Sequence, residues 1–102
     1  PVKPVNIDFD KRWTQRYGTP SDQIAGYGYD IIGLIEDALK RNKGKVTRTS
    51  FRDAFENTKG FKGTHGIYQF SPTEHDGLSK KDLVFVRIEG GKFKRIQFPG
   101  TE

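Results

Sequence analysis

The chain has 102 residues and a formal net charge of +5, with a pI near 9.6. That length allows one domain at most. Cys is absent, which excludes disulfides, thiol catalysis and thiolate metal sites. The longest apolar stretch, Ile31–Ile35, falls far short of the roughly 20 residues a membrane-spanning helix needs.

Leu, Ile, Val and Phe supply 25 residues, enough to expect a folded chain. With hydrophobic residues at only 32%, the core is expected to be thin. Met is absent at every position, so the sequence is expected to be a processed product or a piece of something larger.

Pro1–Pro4 reads as an extended lead-in. Asn6 or Asp8 then caps a first helix, expected over about 6–17, whose stripe is Phe9, Trp13 and Tyr17. This stripe reads as core rather than as a stacking platform. Gly18 ends the helix, with Pro20 two residues beyond. Ser21 caps a second helix over about 22–42, with Asp22 in its first turn. Its stripe is Ile24, Tyr27, Ile31, Leu34, Ile35 and Ala38, and Ile32 and Leu39 widen the arc, so burial on more than one side is expected. Gly26, Gly28 and Gly33 each cost about 1 kcal/mol relative to Ala in a helix. They imply either close approach of another segment or an entry not yet helical at Gly26–Gly28. Tyr29 lies off the stripe beside Asp30, where its hydroxyl faces a cleft or its ring covers an edge.

Thr49 caps a third helix over about 49–59, with Phe51, Ala54 and Phe55 inward. The period then changes. Strands are expected over about 66–70, 83–88 and 92–98, the last two joined by a hairpin turn at Gly90-Gly91. The fold class is α/β: three helices followed by about three strands. A helix with a wide apolar arc and a nearly continuous apolar strand expect neighbours on both sides, which so few elements cannot supply. A larger parent, or association between chains, answers that burial problem.

Few residues point to chemistry. Glu74, His75 and Asp76 are adjacent in a loop and lack metal-ligand spacing. Ser71 near His75 lacks the context of a nucleophile. Gly26-x-Gly28 lacks the third glycine of a dinucleotide loop, and Glu36 and Asp37 diverge on a helix. No active site is visible, and no metal or cofactor is expected. Lys40, Arg41, Lys43, Lys45, Arg48 and Arg52 form a basic cluster at a helix end and the following loop. A small nucleic-acid-binding module using Lys40–Arg52 is therefore an alternative, and its affinity should fall steeply with salt. A second cluster, Lys80 to Arg95, is interrupted by Asp82 and Glu89.

In order, Phe9-Asp10-Lys11-Arg12-Trp13, Tyr17-Gly18, Ala25-Gly26-Tyr27-Gly28-Tyr29-Asp30-Ile31, Phe61-Lys62-Gly63-Thr64-His65-Gly66, Phe70-Ser71-Pro72, His75-Asp76-Gly77-Leu78, Val84–Ile88 and Gly90-Gly91-Lys92-Phe93 make a pattern. It resembles the late part of type I periplasmic solute-binding proteins of ABC transporters, the leucine/isoleucine/valine-binding family. The resemblance covers nearly the whole chain and implies that residues 1–102 are a C-terminal piece of a two-lobed α/β protein several times longer. Such a protein closes on a branched-chain or related amino acid, or a small aromatic or aliphatic carboxylate, and delivers it to an ABC permease. It works without catalysis, in the periplasm or at the cell-envelope exterior. The family's grip on the amino acid comes from earlier in the chain, so the resemblance leaves Tyr29 and His75 as the ligand-binding candidates here. Nucleic acid is not a partner in this reading, and self-association of the incomplete fold is expected.

Overall fold

The computed structural model describes residues 3–97. Its elements run α1 (Pro4–Tyr17), α2 (Gln23–Arg41), α3 (Arg48–Glu56), β1 (Phe61–Lys62), β2 (Ile67–Tyr68), a single 3₁₀ turn at Lys80–Asp82, β3 (Phe85–Glu89) and β4 (Lys92–Ile96). Phe98, expected in the last strand, lies outside the described residues.

The helix starts differ from those read off the sequence, for reasons of capping chemistry. Lys3, not Asn6 or Asp8, precedes the first turn of α1, and Pro4 opens it, where a fixed φ and a missing N–H are tolerated. Asn6 instead donates from its amide to the Thr64 carbonyl at 2.7 Å, while Asp8 pairs with Arg12 at 2.9 Å. At α2 the cap is Asp22, whose carboxylate accepts the Ala25 N–H at 2.8 Å. Ser21 ties the helices together: its N–H and hydroxyl both donate to Asp10, at 2.8 and 2.6 Å. Those two bonds hold the Asp10 carboxyl below the usual range. At α3 the cap is Thr47 rather than Thr49, because Thr47 has Ser50 three residues on and the two close a reciprocal box. Thr49 has Arg52 there, which cannot accept.

The buried face of α2 keeps Leu34 and Ala38 of the expected stripe but departs from it towards the start of the helix. Gly26, Asp30, Leu34 and Ala38 point inward, four residues apart throughout. Ile24 is 79% exposed, and Tyr27, Ile31, Ile32 and Leu39 are also open to solvent. The helix is already regular at Gly26, so the glycine there serves close approach: a Cβ on Gly26 would lie 2.7 Å from Thr64 Oγ1. On α1, Phe9 is buried while Tyr17 is exposed, its ring 4.4 Å from Trp13.

The strands form two separate antiparallel pairs. β1 pairs with β2, Phe61 opposite Tyr68, around a tight loop in which the Gly63 N–H meets the Gly66 carbonyl at 2.9 Å. β3 pairs with β4, Glu89 opposite Lys92. Gly90 and Gly91 occupy the turn with φ of 56° and 76°, positive values that glycine adopts without strain. The central apolar cluster is small: Leu34, Tyr68 and Phe70, with Phe55, Phe61 and Leu78 packed against it; Phe9 and Ala38 are buried as well. The radius of gyration is 16.2 Å, against about 13 Å for a compact chain of this length.

Candidate functional site

A hollow of about 560 Å³ lies between the start of α2, the loop at 64–65, the segment 78–84 and the β3–β4 hairpin. That volume suits a small-molecule site. Helical spacing puts Gln23 and Tyr27 on one edge; Leu78, Leu83, Val84, Val86 and Phe93 form the apolar wall opposite.

The edge is ordered by aromatic and polar contacts. The His65 imidazole stacks on Tyr27 with centroids 3.6 Å apart and planes 13° from parallel. His65 Nε2 lies 2.9 Å from the Gln23 carbonyl. A carbonyl only accepts, so Nε2 carries the proton there. On the polar side of the groove, Asp82 accepts from the N–H groups of Ser79 and Ile67, at 2.7 and 3.2 Å, and from the Ser79 hydroxyl at 3.2 Å. Partial burial opposes ionisation of Asp82, but those donors outweigh it and hold its carboxyl below the ordinary range. Among the described residues neither Lys nor Arg lines the groove, so an apolar group finds a better match in it than a carboxylate does.

Behind this edge sits Asp30, 2% exposed. Its Oδ1 accepts the Thr64 N–H at 2.7 Å, and its Oδ2 accepts the His65 N–H at 3.2 Å and the Tyr68 hydroxyl at 2.9 Å. Burial, and then the bond to Asp30, push the Tyr68 phenol well above its usual range.

Tyr29 and His75 lie elsewhere. The Tyr29 hydroxyl accepts from Arg12 at 2.6 Å, and its ring packs 4.7 Å from Phe9. It borders a hollow of about 220 Å³ with Val5, Ile32 and Phe61. His75 lies 3.1 Å from Glu56 and borders another of about 330 Å³ with Phe51, Phe55 and Phe70. Tyr29 and His75 border separate hollows, and neither lines the groove beside Tyr27 and His65. Sequence reading passed over Gln23, Thr64, Tyr68 and the inward role of Asp30. The available signal was the four-residue spacing of Gly26, Asp30, Leu34 and Ala38, which sets one carboxylate among uncharged residues on a single face.

The basic cluster at the end of α2 is partly committed to the fold. Arg41 pairs with Asp37 at 3.0 Å and also donates to the Ala54 carbonyl and the Thr58 hydroxyl, at 2.7 and 2.9 Å. Lys40 pairs with Glu36 and Arg52 with Asp53. Among the described residues no helix is long and apolar enough to cross a membrane. Nor do three or more His, Asp or Glu gather there as a metal site.

Residues 2–92 match the model of a family described as periplasmic binding protein. The chain belongs to that family. Among solved structures it is similar to a protein named as a branched-chain amino acid ABC transporter from Rhodospirillum rubrum, with 30% identity and a TM-score of 0.76. It also shares its fold with a leucine-binding protein from Thermotoga maritima (22%, TM-score 0.75) and an ABC transporter substrate-binding protein from Desulfitobacterium hafniense (20%, 0.74). Each likeness covers 94% of this chain but only 26–28% of the other. No curated protein matches the chain.

Proposed function

We propose that the chain is the C-terminal segment of an extracytoplasmic solute-binding protein of an ABC transporter. The parent captures an amino acid or related carboxylate between two lobes and hands it to a permease, with ligand contacts favouring the closed state. The observation that carries this reading is the family match over residues 2–92, joined to the 30% identity with the R. rubrum protein. The burial pattern supports it as well. Exposed apolar residues along α2 and the hairpin suit a segment that packs against further elements.

In this reading the chain contributes binding surface and no catalysis. The groove, lined among the described residues mainly by apolar side chains and by neither Lys nor Arg, suits a ligand's side chain, and the ligand's charged ends are held by residues from the rest of the parent. Tyr29 and His75 are proposed as further ligand contacts, each to be tested singly because they border separate hollows.

Calorimetry tests the division of labour. The 102-residue chain alone should show no heat of binding with leucine at millimolar concentration. The parent encoded by the complete reading frame should bind an amino acid or small carboxylate with micromolar affinity. Micromolar leucine binding by the isolated chain would remove the division. A parent that binds none of these solutes would remove the transport reading.

A further inference from the structure

We infer that Asp30 is a positioning residue: by holding the N–H groups of Thr64 and His65 it sets the His65 ring face to face with Tyr27, and so fixes one edge of the groove. Tyr27 and Asp30 stand three residues apart on α2, so one rigid helix presents both the ring and the carboxylate. The carboxylate divides its oxygens between the two successive N–H groups, at 2.7 and 3.2 Å. Charged acceptors make the stronger hydrogen bonds of this kind.

The loop needs such an anchor. Gly63 and Gly66 flank Thr64-His65, and glycines leave the backbone free to wander. Among the described residues the loop is also held by the Gly63–Gly66 bond and by the Asn6 amide on the Thr64 carbonyl. The His65 ring itself is held by the Gln23 carbonyl and by the stack. A groove edge preset in this way spares a ligand the cost of ordering it on binding. The role holds whichever solute the groove takes.

A general stabilising role for Asp30, through its bond to Tyr68, makes a different prediction, and proton NMR of the His65 ring separates the two. In the unaltered protein the ring protons of His65 should resonate upfield, shielded by Tyr27. Y68F removes the phenol bond but leaves both N–H groups their acceptor, so the upfield shift should persist although the melting temperature falls. D30N replaces one accepting oxygen with a donor amide, so one N–H loses its partner and the shift should collapse. Retention of the shift in D30N, or its equal loss in Y68F, would overturn the inference.

Should D30N fail to fold, amide hydrogen exchange in the unaltered protein decides. The Thr64 and His65 amides should exchange no faster than those of α2 around Asp30. Exchange about 100-fold faster or more would show that the loop opens independently of Asp30 and would equally overturn the assignment.

Discussion

At the scale of single residues, the buried contact between Asp30 and Tyr68 gives the sharpest expectations. Truncating Asp30 to Ala leaves two backbone donors and a phenol without their acceptor. That should cost about 3–4 kcal/mol in urea unfolding. Y68F removes a single bond and leaves the carboxylate two donors, so about 1–2 kcal/mol is expected. The pH dependence carries its own sign. The folded phenol holds its proton to higher pH than the unfolded one, first through burial and then through Asp30. Its contribution is therefore complete below about pH 10, the ordinary tyrosine value, and declines as pH rises beyond it. Urea midpoints measured from about pH 9 to 11 should fall more steeply for the unaltered protein than for Y68F. Asp82 behaves oppositely. Its depressed value means its contribution is present above about pH 4 and lost as pH falls through the folded value. D82N should therefore flatten the acid limb of the stability curve, and equal slopes in both proteins would contradict that.

At the scale of elements, what the sequence conveyed and what it withheld divide along physical lines. The existence and order of the helices were legible because apolar periodicity and stop residues such as Gly18 are local signals. So was the β3–β4 turn, since Gly90-Gly91 names its own geometry. The inward face of α2 was legible only at Leu34 and Ala38; nearer its start, residue hydrophobicity pointed to Ile24 and Ile31. Contacts 34 to 38 residues away instead turned Asp30 inward. β1 was missed for a similar reason: two residues carry no periodicity, and their pairing is made by a glycine loop. The groove edge escaped notice because His65 acquires its partner from a helix 38 residues earlier in the chain, a distance no motif encodes. Gly26 tests this element-level packing. Ala at that position gains about 1 kcal/mol of helix propensity, but its Cβ would meet Thr64 Oγ1 at 2.7 Å and His65 Nε2 at 3.2 Å. Overpacking of that kind costs about 1–3 kcal/mol, so G26A should be net destabilising or close to neutral in urea melts. It should also weaken the Tyr27–His65 stack. A clear gain in stability would show that the loop yields freely.

At the scale of the whole molecule, shape and surface point the same way. The chain extends 53 × 36 × 18 Å, and much of its apolar complement faces outward, Ile24 at 79%, Phe93 at 78% and Ile88 at 69% exposed. Ile88 and Phe93 are cross-strand partners, so they form one apolar spot on the hairpin. Scattered exposed apolar residues are ordinary, but paired ones such as Ile88 and Phe93 make a surface that water covers at a cost. The isolated chain should therefore associate as concentration rises. Sedimentation equilibrium should give a mass above the monomer's 11.6 kDa, increasing further with ammonium sulfate, which strengthens apolar burial. Association driven by the +5 charge binding an anionic contaminant would instead weaken with added salt. Placing charges at the exposed hairpin spot, Ile88→Lys with Phe93→Lys, discriminates further. Neither side chain contributes to the buried core, so the fold should survive while the apparent mass returns toward the monomer. A chain that stays monomeric at about 100 μM, both with and without the salt, would show that these faces are adequately hydrated as they stand, and the burial argument for neighbouring elements would lose its physical basis.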